Sequence, residues 1–268
     1  MHVESLHFYP VKSIAAVDVA RAAVEPRGLT GDRRYLLIDE NGRFMTGREN
    51  PQLVQVRATP TPTGLVIEAP GQSHLEIEAP RATAPAIDVR IWRDDVQARG
   101  VSAAADAWFT AFLGKTCRLV FQHDDDIRVV AAARQTTTDD LVSFADGYPV
   151  LLIGTASLDD LNARLTDAVT MAHFRTNIVA RTETAFIEDD WERIRIGDIH
   201  FDVAKRCARC VFTTVDLVTG ERRADGEPLK ALRGYRLDRS APGVMFGVNL
   251  IPRDSGFIEQ GSPIELVA

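Results

Sequence analysis

Short β-type runs, each closed by Gly, Pro or Asp, fill roughly the first hundred residues, and this punctuation limits the fold more than any other feature. VESLHFYPVKS reads as a strand running into a turn. RRYLLIDENGRFMT reads as a hairpin: a strand over Tyr35 to Ile38, a turn over Asp39 to Gly42, then a second strand. Its Asn-Gly pair supplies the positive φ angles that tight hairpins need. QLVQVRATPTPTGLVIEAPG continues with strands closed by Pro and Gly, and HLEIEA alternates apolar and polar residues like a half-buried strand. Strands at this spacing predict a barrel or a sandwich.

The texture changes near Ser102. SAAADAWFTAFLGK predicts a helix with Ser102 as N-cap, Gly114 as C-cap, and Ala105, Trp108, Phe109 and Phe112 on its apolar face. TASLDDLNARLTD predicts a second helix, capped by Thr155 or Ser157, with a stripe of Leu158, Leu161 and Leu165. NIVARTE, ERIRIGDIHFDVAK, VFTTVDLVT and SPIELVA return to strands. The fold class is therefore mainly β with a few helices (α+β). A β-rich unit over residues 1–120 is followed by a second unit over 121–268, with the join between 115 and 145. HDDDIRVVAAARQTTTDD, inside that join, reads as a mobile loop.

A net charge of -7 with dispersed basic residues argues against a nucleic-acid-binding surface. No stretch reaches the roughly 18 apolar residues of a membrane span, and the first residues lack the pattern of a secretory leader. Three cysteines make no disulfide framework, which points to a reducing, cytoplasmic setting.

Two of those cysteines, Cys207 and Cys210, stand in KRCARCVF beside Lys205, Arg206 and Arg209. A structural zinc site needs four ligands, and here only Cys117 and unpaired histidines are left to complete one. A thioredoxin-type dithiol belongs at a strand-to-helix junction, whereas CARC leads into the β-branched VFTTVD. Neighbouring cations favour the thiolate, so a reactive or metal-ligating cysteine and a small packed hydrophobe both remain open.

The order YPVKS, GDRRY, FRTNIV and CARCVFTTVD, spread over nearly the whole chain, resembles the MOSC-domain family. The arrangement is similar to that of the amidoxime-reducing component and its bacterial relatives. The resemblance implies a β-barrel MOSC domain packed with an N-terminal β-barrel-like domain. It implies a molybdenum-pyranopterin cofactor, with Cys210 as the metal ligand and Cys207 as a bystander. It assigns cofactor contacts to Lys12 and Ser13 of YPVKS, Arg33 of GDRRY, and Arg175 and Asn177 of FRTN. Arg209, Thr155, Ser157 and Asn249 join them, and Asp216 of TTVD is placed as a catalytic residue that orients solvent or a proton donor. The expected reaction is two-electron reduction of an N-hydroxylated compound, such as an amidoxime or hydroxylamine, to the amine-type product and water. With no cluster-type cysteine set and no GxGxxG fingerprint, the electrons must come from a separate ferredoxin or flavin-type reductase. A carrier of the cofactor or of sulfur is the alternative function, and a metal-free interaction module the third. Pyridoxal phosphate enters only as a family-level association, through a desulfurase partner that nothing in this chain resembles.

Overall fold

The computed structural model describes residues 1–131, 135–238 and 243–267. Its centre is a nine-stranded sheet whose order runs Ile264–Leu266, Arg193–Ile196, Ile199–Arg209, Gly243–Pro252, Val150–Gly154, Ile178–Arg181, His2–Phe8 and Val17–Val19, with Leu237–Asp238 added beside Gly243–Pro252. The chain's first strand therefore lies antiparallel to Ile178–Arg181, with Leu6 opposite Ile178. Arg21–Glu25 likewise pairs with Gly256–Glu259 near the other end of the chain. Val3, Leu6, Leu152, Ile178, Ile194, Phe201 and Leu250 fill the core of this barrel-like sheet.

Residues 35 to 121 build the second body. Tyr35–Ile38, Arg118–Phe121, Asp94–Gly100 and Ala86–Ile91 form one sheet, and Arg57–Pro60, Gly64–Glu68 and Leu75–Glu78 form another. The helix Ala103–Leu113 closes it: the Ser102 hydroxyl accepts from the Ala105 N–H at 3.1 Å, and Gly114 ends the helix at φ 64°. Trp108, Phe109 and Leu113 bury against Leu53, Leu65 and Leu119.

Several sequence expectations change here. Thr155 and Ser157 do not cap the second helix: its N-cap is Gly154, and no side chain caps it. VFTTVD does not continue a strand, because Val211–Thr214 is a 3₁₀ turn. In the join, residues 132–134 of the expected mobile loop lie outside the described residues, while the described part is tied down. Arg128 donates to Asp94, to the Ser143 carbonyl and to the Ala145 carbonyl. Buried Asp140 accepts from Thr137 and from Arg253, which also grips Asp202. Among the described residues no helix is long and apolar enough to cross a membrane.

Candidate functional site

Where the two bodies meet lies a cavity of about 960 Å³. It gathers Lys12, Ser13, Arg33, Arg175, Asn177, Arg209, Cys210 and Asn249, eight residues drawn from five separate stretches of chain. Val11 pairs with Tyr35, and the Lys12 N–H donates to the Tyr35 carbonyl, so the turn after the first strand is fixed against the second body. The Ser13 hydroxyl accepts from the Gly47 N–H at 3.0 Å. Gly47 is there for space, since a Cβ would sit 2.3 Å from the Phe212 ring.

The wall is a hydrogen-bonded block around Asp32. This carboxylate is only 1% exposed and accepts from the Tyr9 N–H, the Asn177 amide and Arg33. Arg33 Nη1 also reaches Asn177 Oδ1 at 2.9 Å, and Nη2 reaches the Arg175 carbonyl at 3.1 Å. Arg33 and Arg175 both lie over the Tyr9 ring, at 4.4 and 4.1 Å. Burial lifts the Tyr9 phenol to about 12, so the ring stays neutral between the two cations. Burial, and then repulsion from Arg33, lowers Arg175 to about 10. Lys12 is also pulled below its usual range by burial, against the opposing pull of Asp146, whose carboxylate it meets at 2.5 Å. Crowding by the surrounding protein would raise Asp146, a side chain that still keeps 60% of its surface exposed, but the Lys12 ammonium overrides this and holds the carboxyl well below the ordinary range.

Cys210 closes the strand Ile199–Arg209 and stands at the head of the 3₁₀ turn, where its carbonyl accepts from the Thr213 N–H and hydroxyl. Its half-buried thiol borders the cavity. Cys207 lines the same cavity but is differently held: Arg209 Nη1 donates to its sulfur at 3.0 Å, and it packs against the cluster around Phe174 and Phe246. All three cysteines are free.

Backbone strain collects at the same place. Among the described non-glycine residues, positive φ occurs at Ser13 (74°), Arg33 (48°), Trp92 (55°), Arg175 (58°) and Phe186 (62°), and the first four line the cavity. Each costs on the order of 1 kcal/mol or more, and such strain persists where the surroundings enforce it.

Three expected site residues lie elsewhere. Ser157 is buried, donating to Glu188 Oε1 at 2.7 Å and accepting from the Phe186 N–H. Thr155 exchanges hydrogen bonds with the Thr182 backbone. Both stand beyond the Gly154 end of a strand whose opposite end, Val150 and Leu151, borders the cavity. They hold the barrel and do not line this cavity. Ser157→Ala is expected to cost about 1–3 kcal/mol, by leaving the buried Glu188 short of a donor, while molybdenum content stays unchanged; denaturant melts and metal analysis check both halves. Asp216 also leaves the site. Its carboxylate accepts from the Val218 and Thr219 N–H groups, which lower its pKa and commit it to a turn. Asp216 lies six residues after Cys210, an even offset that would share a face on a strand, but the intervening 3₁₀ turn removes that relation.

The sequence reading missed Tyr9, Asp146 and Trp92. Tyr9 opens the YPVKS motif and was within reach; Asp146 sits just past the join, where no periodicity marks it.

Two atoms test whether the cavity suits an anionic, metal-bearing group. Arg175 Nη2 and Arg209 Nε are buried donors with no partner, both on side chains that line the cavity. Buried guanidinium donors are rarely left unmade, and a phosphate is a matched acceptor for them. A soft thiolate at Cys210 is the donor type that selects a soft metal. Among the described residues no group of three or more His, Cys, Asp or Glu converges, so zinc has no ligand set. The residues fit a phosphate-carrying cofactor with a thiolate-bound metal.

A barrel-like sheet joined to a second β-rich body, with a cationic cavity at their seam and both Cys207 and Cys210 on its wall, is a two-domain β architecture with a candidate cofactor site. Residues 1–116 match the MOSC N-terminal beta barrel domain and residues 139–265 match the MOSC domain. The chain belongs to the MOSC-domain family, in the two-domain arrangement. It is 34% identical to mitochondrial amidoxime reducing component 2 of Bos taurus over 98% of this chain and 82% of that protein. It is also 34% identical to component 1 of Mus musculus, over 99% and 82%. Against component 1 of Homo sapiens it is 32% identical over 99% and 82%.

Proposed function

We propose that the chain is a molybdenum-cofactor-dependent oxidoreductase that reduces N-hydroxylated compounds of the amidoxime or hydroxylamine type. The observation that carries this reading is one cavity holding Cys210 together with two unpartnered arginine donors, in a chain aligned almost end to end with proteins named for amidoxime reduction. When bound, the pyranopterin-held metal supplies the redox chemistry and an open position for the substrate oxygen.

The chain's residues do the rest. Cys210 holds the metal as thiolate. Arg175 and Arg209 hold the anionic tail, and Lys12, Ser13, Asn177 and Asn249 complete the polar wall. The Asp32–Arg33–Asn177 block fixes the positions of Arg175 and Tyr9 from behind. Reduction of an N–OH group to N–H consumes two electrons and two protons and releases water. The protons enter from solvent through the open mouth, where Asp146 is 60% exposed, and the electrons arrive from a separate iron–sulfur or flavin-type protein. Three free cysteines suit a reducing, cytoplasmic setting.

The test uses protein made in a host that synthesises the molybdenum cofactor, assayed on an aromatic amidoxime with a dye as electron donor. Turnover is expected to scale with molybdenum content across preparations. Full molybdenum without amidine production would replace this reading with the carrier function. Absence of both would leave an interaction module.

A further inference from the structure

Trp92 shares the backbone strain of Ser13, Arg33 and Arg175 and borders the same cavity, although no motif singles it out. It stands at the tip of the hairpin formed by Ala86–Ile91 and Asp94–Gly100, where Ile91 faces Asp94 across a two-residue turn. At φ 55° this is a place where a tight hairpin favours glycine. The chain instead puts there the largest side chain available, and leaves it 43% exposed. The indole is nonetheless held. The Phe44 ring meets it at 4.8 Å and 62°, and the Arg48 guanidinium lies 4.7 Å from its centre. Its N–H points to Asp146 Oδ1 at 3.4 Å, the same oxygen that holds Lys12. A strained, anchored and half-exposed aromatic at the mouth of a site is a preorganised stacking surface.

We propose that Trp92 is the platform on which the planar, conjugated body of the substrate lies, with the N–O end directed into the cavity toward Cys210. The proposal rests on the reductase reading for the identity of the ligand. Its consequence is a preference for aromatic or heteroaromatic N-hydroxylated compounds over aliphatic ones.

The test separates binding from turnover. Trp108 and Trp191 are 8% and 5% exposed, so acrylamide-quenchable emission reports mainly Trp92. In the cofactor-loaded protein, benzamidine, a planar product-type probe, is expected to shield that emission and to bind about tenfold tighter than acetamidine, which has the same head and no ring. Trp92→Leu is expected to lose about that tenfold for benzamidine alone, and to raise KM for an aromatic amidoxime with kcat and molybdenum content unchanged. Trp92→Phe keeps a ring and is expected to retain most of the affinity, which guards against misreading a folding defect. Unaltered benzamidine affinity in Trp92→Leu, or equal loss for both probes, overturns the platform. Loss of molybdenum from that variant overturns it too, by showing that the indole covers the cofactor. Binding without any reduction would instead count against the reductase reading and leave the platform standing.

Discussion

Cys210→Ser is expected to carry molybdenum at background level when produced beside the wild-type chain, a fall of at least about tenfold, while Cys207→Ser keeps its metal. A serine hydroxyl is a hard donor and far too weakly acidic to ionise, whereas a cysteine sulfur is the soft donor that a soft metal selects. The two cysteines are three residues apart but differently placed. Cys207 Sγ already accepts from Arg209 and rests on the apolar cluster of Phe174 and Phe246. Both cysteines border the cavity, but Cys210 heads the turn with, among the described residues, only its backbone carbonyl engaged. Oxygen for sulfur leaves that turn intact, so the melting midpoint of cofactor-free protein should not move. Metal analysis and the fluorescence of the released pterin read the outcome. Full molybdenum in Cys210→Ser would remove the central assignment, and loss of metal from Cys207→Ser alone would transfer it to the other sulfur.

Much of this site was legible because its residues sit in short motifs whose chemistry is local. YPVKS, GDRRY and FRTN each bring a cation or an amide to the cavity, and CARC brings the sulfur. The strands over Ile178–Arg181 and Ile199–Arg209, and the capped helix Ala103–Leu113, follow from residue pattern and end signals in the same way. The failures have a common physical source, competition between side chain and backbone. VFTTVD has strand composition, but the Thr213 and Thr214 hydroxyls return to the carbonyls of Cys210 and Val211 and wind the segment into a 3₁₀ turn. That winding is what takes Asp216 away from the sulfur. Thr155 looked like a helix cap or a cofactor donor, yet its hydroxyl is spent on Thr182, 27 residues away. Pairing of the first strand with Ile178–Arg181 has no local signal at all, so the sequential boundary near residue 120 does not coincide with the spatial division. Trp92 was invisible for a different reason: positive φ at a residue other than glycine is decided by the surroundings and not by the residue itself.

The Asp32–Arg33 pair makes the second large effect, and it concerns stability before chemistry. Arg33 lines the cavity, and three of its five N–H donors are engaged by Asp32, Asn177 and the Arg175 carbonyl, so it also braces the cavity from behind. Arg33→Met would strand the Asp32 carboxylate, whose side chain is fully buried, with only the Tyr9 N–H and the Asn177 amide as partners. Removing one member of a buried pair costs about 3–5 kcal/mol, more than the pair itself contributes, because the remaining charge stays desolvated. Arg33→Met is therefore expected to lose about that much in urea denaturation of cofactor-free protein, and to release cofactor as the backbone at Arg175 loosens. Asp32→Asn combined with Arg33→Met removes the stranded charge and should recover a substantial part of the loss, a coupling that only direct partners show. If Arg33→Met unfolds at the wild-type urea concentration yet loses its cofactor, Arg33 contacts the cofactor directly and the bracing role is wrong. If both variants lose the same stability, the cost lies in packing over the Tyr9 ring and not in the charge.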